Sequence, residues 1–448
     1  MKMPLPALPY RLLILFTLFF FLIGITACQR KTGDLSKVMQ KNIPNVLIGE
    51  SGLGFGPCEP SIAINPNNTD QVVAGAVLDR AYYSQDGGKT WKEKQLRSPY
   101  GVYGDPVILA DYAGNFFYAH LADPSGSGRF SSSWLDRIVI QKSTDGGMAW
   151  SDGAFTGNRP PADQDKHWLA ANPYNHHLYV TWTEFDKYGS RKAEDHSRIL
   201  FSKSTDSGKS WSDAISINQL EGDCLDDDNT TEGAVPAVGP NGELYVSWAY
   251  AEKIYFDRSI DGGATWLNED IIAADQPGGW AFDIPGISRC NGMPFTEADR
   301  SNGPHRGSVY INWSDQRNGE GDTDIWLAYS RDGGQSWSEP IRVNNDPTGR
   351  QQFLTAMAVD QSTGYIYIVF YDRRAYDDHR TDVYLAYSTD GGQTFNNQRI
   401  SESPFTPTTE VFFGDYNDIS AEDGHIRPIW TRLEQGELSV WTALVEVR

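Results

Sequence analysis

Five acidic residues stand just ahead of five short apolar stretches of this chain: Glu59, Asp105, Asp165, Glu232 and Asp415. Carboxylates gathered in one place repel one another, and the repulsion raises the pKa of some of them. A raised carboxyl beside an ionised one is an acid/base pair of the kind that cleaves glycosidic bonds. The same gathering is how an oxygen-ligated cation site is made, so calcium is the one cofactor these residues could recruit. The local alternative is that each carboxylate caps its own loop by accepting backbone N–H groups. A second set is cationic: Arg80, Arg317, Arg373 and Arg432 each follow the second apolar stretch of a unit. A guanidinium is a planar fork that fits a carboxylate. Asp79, Asp315 and Asp372 lie one or two residues from Arg80, Arg317 and Arg373, so local ion pairing is the other use of these side chains.

Whether these groups meet depends on a repeat. The octet Ser84-Gln-Asp-Gly-Gly-Lys-Thr-Trp91 returns five more times, with its aspartates at Asp86, Asp145, Asp206, Asp261, Asp332 and Asp390. A recurring unit of that size means an array of supersecondary modules. In each octet the Asp can accept backbone N–H bonds inside a tight turn, and the glycines supply positive φ. The closing aromatic residue then re-enters a strand. Each unit also opens with two short strands rich in aromatic and β-branched residues, as in Ser61–Asn65 with Gln71–Val77 and Ala234–Val238 with Leu244–Trp248.

The octet resembles the Asp box of sialidases and related β-propellers. The resemblance covers nearly all of the chain after its first 43 residues. It implies an all-β propeller with six structural Asp boxes, each joining the third and fourth strands of a blade on the face opposite the active site. The acidic residues at the heads of the first strands then converge on a central mouth, with Arg80, Arg317, Arg373 and Arg432 at the ends of the second strands. There are seven strand pairs and six boxes; the last unit ends after a third strand, Leu438–Val447. Asn45–Gly49 can supply its fourth strand, which closes the ring and removes the exposed edge. The expected fold is therefore a seven-bladed β-propeller. The six-bladed ring of catalytic sialidases is the alternative if the irregular fifth unit, Asp283 to Trp313, shares a blade with a neighbour.

For function, the resemblance implies recognition and cleavage of a glycan at the acidic mouth. A pair drawn from Asp105, Asp165, Glu232 and Asp415 would be acid and base, with Arg317 and Arg373 positioning the substrate. Asp79 matches the family's general acid, Tyr416 in Gly414-Asp415-Tyr416 its nucleophile, and Glu232 the carboxylate beside that tyrosine. The family's first arginine sits in an Arg-Ile-Pro motif; the stretch here is Cys58-Glu59-Pro60-Ser61, which keeps the proline and lacks the arginine. Glu59, Asp79, Arg80, Arg317, Arg373 and Arg432 are the substrate-binding candidates. Tyr103, Trp134, Trp168 and Trp280 could stack on sugar rings or pack between blades. The competing expectation is a non-catalytic platform for binding or assembly. No Gly-x-Ser-x-Gly elbow, phosphate-binding loop, His-Glu-x-x-His or zinc-like Cys/His spacing occurs.

The amino terminus reads as a targeting segment over residues 1–27, a tether over 28–43 and the propeller over 44–448. Lys2 and Arg11 precede an apolar run from Leu12 to Ala27, and Ile25-Thr26-Ala27-Cys28 resembles a bacterial lipobox. That resemblance implies lipidation of Cys28 and a place on the cell envelope, at the outer membrane. The formal charge is −21, and about −23 once Lys2 and Arg11 are removed. Such acidity argues against nucleic acid and against a membrane contact beyond the lipid anchor. A monomer is expected. Of Cys58, Cys224 and Cys290, the preferred disulfide is Cys224 with Cys290, because both lie in long loops of adjacent repeats.

Overall fold

The computed structural model describes residues 42–51, 56–347 and 349–447, and the expectations for the leader, for Cys28 and for most of the tether lie outside them. Among the described residues there are seven antiparallel sheets and no helix longer than the single 3-10 turn Gly128–Phe130. The first strands of the seven blades are Ser61–Asn65, Val107–Ala110, Asp163–Ala171, Glu232–Val238, Phe295–Ala298, Gln352–Asp360 and Asp418–Glu422. Each pairs with the strand that follows it, and so on outward, which is the blade meander of a propeller. The ring has seven blades, so the six-bladed alternative is excluded. It closes as the sequence predicts: Asn45–Glu50 pairs antiparallel with Glu437–Ala443 as the outermost strand of blade 7.

The six boxes lie between the third and fourth strands of blades 1 to 6 and share one bonding scheme. In the first, Ser84 Oγ donates to Asp86 Oδ1 at 2.8 Å and accepts from the Gly88 N–H at 2.9 Å. Asp86 also accepts the Thr90 N–H at 2.9 Å and the Thr90 hydroxyl at 2.7 Å. The turn satisfies its own polar groups, which is why it can recur wherever the octet does.

The core between blades is carried by one repeated position on the second strand, four residues beyond the residue paired with the box serine. It holds Trp182, Trp248, Trp313 and Phe370 in blades 3 to 6, and Trp430 stands at the equivalent place in blade 7. All five are buried. Blades 1 and 2 carry Ala76 and His120 there instead. The bulky filling of the ring is thus thinned on one side, and the largest change in residue volume coincides with the cavity described next.

Candidate functional site

The first strands run from the mouth towards the box face, and several begin with a local distortion. In blades 3, 4 and 6 the pairing slips between Asp165 and Trp168, between Glu232 and Val235, and between Phe353 and Ala356. Each slip is a bulge, and bulges re-aim side chains. Within them Lys166, Gly233 and Leu354 adopt φ of 49°, 74° and 47°. In blades 1 and 2 the same turn inward falls on Glu59 and Asp105, at φ of 51° and 50°, immediately before Pro60 and Pro106. Left-handed non-glycine residues are strained, and strain of this kind concentrates where a site over-determines it. Here it aims Glu59, Asp105 and Lys166 at one cavity.

That cavity has a volume of about 320 Å³ and is lined by Glu59, Asp105, Asp165, Lys166, Arg289 and Asp415 on its polar side. Val77, Leu78 and Leu121, which follow Ala76 and His120, supply apolar wall. A second axial cavity of about 180 Å³ opens at the box end of the channel between the first strands. There Arg300 donates to the Tyr112 hydroxyl at 2.7 Å, and Glu297, Glu422 and Asp418, which burial raises to about 7, 7 and 6, stand among aliphatic residues of the first strands with no lysine beside them among the described residues. The mouth cavity holds the chemistry.

Lys166 is the hub. Its Nζ lies 2.7 Å from Asp415 Oδ2 and 3.3 Å from Asp105 Oδ2, and its side chain is 4 % exposed. Arg289 reaches the same Asp415 Oδ2 at 2.7 Å and bridges to Asp226 Oδ2 at 2.9 Å, which also accepts the Tyr188 hydroxyl at 2.7 Å. Burial pushes Asp415 up, but Arg289 and Lys166 outweigh it and hold the carboxylate below its ordinary value. Asp165 goes the other way: burial raises it to about 7, against the pull of Lys166. Burial and then the Asp105 and Asp415 charges push Glu59 well up. Glu232 is raised well above its ordinary value by burial, then by the nearby Asp226 and Asp165 charges, and neither of its carboxyl oxygens has a hydrogen-bond partner among the described residues. One cluster therefore contains an ionised carboxylate and protonated or half-protonated neighbours.

The structure brings Glu59, Asp105, Asp165 and Asp415 together and corrects the rest. Glu232 is fully buried and stands behind the wall, against Asp226. Tyr416 lies beneath the floor, where its hydroxyl donates to the Pro106 carbonyl at 3.1 Å; burial, Asp105 and Glu59 raise its pKa well above normal, the reverse of what a nucleophile needs. Asp79 accepts from Gln95 Nε2 on the outer part of blade 1, away from the cavity. Nor do the four arginines converge. Arg80 bridges to Glu93, and Arg317 forks onto Asp315 and stacks on Trp326. Arg373 is buried, donating to the Pro285 carbonyl, with burial lowering it to about 10; Arg432 is held by Ser403 and Glu434. Trp168 and Trp280 are buried packing, while Tyr103 and Trp134 do line the cavity. The expected disulfide is also overturned: Cys224 and Cys290 are both free and buried. Cys224 accepts the Gly189 N–H through its carbonyl in the loop of blade 3, whereas Cys290 packs beside Asn291, Leu354 and Arg373 under the mouth.

Among the described residues no group of three or more His, Cys, Asp and Glu side chains is arranged to hold a metal ion. The physical reason is at hand for the mouth, where Lys166 and Arg289 already neutralise the carboxylates that a calcium ion would need. Lys166, Arg289, Asp226 and Tyr188 are the functional candidates that the sequence reading missed. Lys166 was adjacent to Asp165 in the sequence, but its inward aim depends on the bulge; Arg289 comes from the insertion 276–294 between blades 4 and 5.

The chain carries BNR/Asp-box repeats: the family profile of that description matches residues 82–93 and 328–339, the boxes of blades 1 and 5. It is 27 % identical over 381 residues to xyloglucanase Xgh74A of Acetivibrio thermocellus, an alignment covering 79 % of this chain and 39 % of that enzyme. The chain thus spans about two fifths of the length of the curated relative it matches. Among solved structures, an ulvan lyase of a polysaccharide lyase family aligns with a TM-score of 0.53 at 14 % identity, covering 89 % of this chain and 95 % of that one. The NanB sialidase of Streptococcus pneumoniae aligns with a TM-score of 0.51 at 10 % identity, covering 92 % and 96 %. These likenesses establish the propeller fold.

Proposed function

We propose that this protein takes a glycan into the mouth cavity and hydrolyses a glycosidic bond there. One observation carries the reading: a single cavity presents Asp165, with a pKa of about 7, and Asp415, held ionised by the buried Lys166 and the half-buried Arg289. Environments that push two carboxyls apart in this way assign an acid and a base. Asp165 donates the proton to the departing glycosidic oxygen, and Asp415 activates water or attacks the anomeric carbon. Lys166 and Arg289 keep Asp415 charged, and Tyr103 and Trp134 offer ring faces for a sugar. The xyloglucanase relative and the lyase and sialidase neighbours, all named for acting on glycans, support the substrate class. We place the protein on the bacterial cell envelope as a monomer anchored through Cys28, which rests on the apolar run 12–27 and its lipobox-like end.

A second reading, glycan binding without cleavage, is favoured by the enclosure of Asp415: its side chain is only 2 % exposed and its Oδ2 already takes two cations. Release of reducing ends from a panel of soluble polysaccharides by the purified protein lacking residues 1–28 decides between them. Hydrolysis predicts turnover that falls about 100-fold or more in both Asp165→Asn and Asp415→Asn, with a wild-type rate that declines as pH rises through about 7 and Asp165 loses its proton. Retention of a polysaccharide without new reducing ends would establish the binding reading instead.

A further inference from the structure

We infer that the rim of the mouth carries an outer sugar platform, formed by Phe130 beside the cavity-lining Arg129, which makes the ligand a polymeric glycan and not a short one. The inference rests on the glycan reading above and adds a site to it. Phe130 is 94 % exposed, more than any other large apolar side chain among the described residues. It stands on the 3-10 turn Gly128–Phe130, in the insertion between the second and third strands of blade 2. A ring left in water forfeits about 1.5–3 kcal/mol of burial, which a covering ligand recovers.

A single exposed aromatic residue would be ordinary. This one stands next in the chain to Arg129, which meets an aromatic path lining the cavity. The Arg129 guanidinium lies 5.8 Å from the Trp134 ring, and Trp134 meets Tyr103 and Tyr188 edge to face at 5.8 and 6.0 Å. Phe412, 39 % exposed, also lines the cavity, from the stretch that precedes the first strand of blade 7. At about 320 Å³ the cavity is near the lower end of the range for small-molecule sites, roughly 300–1,000 Å³. It encloses a short piece of saccharide, and the remainder of a longer chain must leave across the rim. A sugar ring has an apolar C–H face for the phenyl ring and hydroxyls around its edge. The surroundings of Phe130 match that edge: Ser125, Ser127, Ser131 and Ser133 stand within five residues of it, which suits hydroxyls and disfavours insertion into lipid.

The test uses the protein without residues 1–28 and with Asp165→Asn, so that ligand survives, with and without Phe130→Ala. Retardation in native gels containing xyloglucan or ulvan reports polymer binding, and calorimetry with the shortest oligosaccharides of the same polymer reports cavity binding. The 3-10 turn buries no residue, so the substitution should leave the fold intact. Polymer affinity is expected to fall about tenfold, equivalent to about 1.4 kcal/mol, while affinity for the short ligand changes less than about twofold. Equal effects on both, or none on either, overturn the platform and leave the glycan reading standing. So does Phe130-dependent binding to phosphatidylglycerol vesicles without polymer loss. Failure to bind any of these saccharides removes the glycan reading, and the platform with it.

Discussion

Asp206 on the box face and Asp165 at the mouth are the same residue on the same blade, and the structure moves their pKa values in opposite directions. Asp206 is exposed and accepts the Ser210 hydroxyl and N–H and the Lys209 N–H, and these hydrogen bonds lower it to about 2. Asp165 is buried, accepts the Lys166 N–H, and rises to about 7 because burial dominates. All of Asp206's partners lie within four residues; the ion pair that governs the mouth joins Lys166 to Asp415 across 249 residues. Local satisfaction makes a group that can be copied six times and does no chemistry. Long-range, incomplete satisfaction makes a group that exists once and can hold or release a proton near neutrality. The two ends of the propeller divide stability and reactivity between them.

The sharpest way to break this division is to remove its hub. Lys166→Met should cost about 3–5 kcal/mol in chemical denaturation, because it leaves Asp105 and part of the Asp415 charge buried without a partner. Lys253→Met, which breaks an exposed pair with Asp275, should cost under about 1 kcal/mol. Comparable losses in the two variants would show that the mouth is no more coupled than the surface. Next in size is Asp165→Asn, read as stability against pH. The folded-state pKa of Asp165 lies above the unfolded value of about 3.9, so its contribution is intact below pH 4 and is lost as pH rises through about 7. Asparagine does not ionise and can still accept the Lys166 N–H. The variant should match the wild type near pH 4 and exceed it by up to about 4 kcal/mol at pH 8, while losing turnover. A stability difference independent of pH would mean that Asp165 does not titrate in this range.

This division also explains what the sequence could show. Octets such as Ser204–Trp211 announce themselves because every partner of Asp206 lies inside the motif, and the ring closure was legible because the last unit was one strand short. The heads of the first strands were legible for the same reason, being fixed by the repeat. The two cations were not. Lys166 points inward only through a bulge between Asp165 and Trp168, and Arg289 returns over the mouth from an insertion whose path no periodicity encodes. The arginines at the strand ends were misassigned although the sequence offered the better reading for one of them: Arg317 pairs with Asp315, two residues away, while Asp372 is taken by Arg374, the residue after Arg373. Cys224 and Cys290 occupy adjacent units, but adjacency in a repeat does not fix where long loops pack.

The smallest prediction tests the box face alone. In five boxes the residue after the Asp is glycine, at φ between 70° and 75° for Gly87, Gly146, Gly262, Gly333 and Gly391. In blade 3 it is Ser207, held at φ 63°. A side chain in this region costs about 1–2 kcal/mol, and glycine returns about half of that through its freer unfolded state. Ser207→Gly should therefore stabilise by about 0.5 kcal/mol, even though it loses the Lys142 contact at 2.5 Å, which is half-exposed and worth little. The reciprocal change isolates the backbone term. A Cβ at Gly262 would meet nothing nearer than the Tyr179 hydroxyl at 3.9 Å, so Gly262→Ser adds no crowding and should destabilise by a similar amount. Paired thermal melts read both, and turnover should move in neither. If the two substitutions shift the midpoint in the same direction, the φ requirement is not what fixes glycine in the box. If turnover follows the melts, the two faces are coupled after all, and the separation of structure from chemistry along this propeller's axis fails.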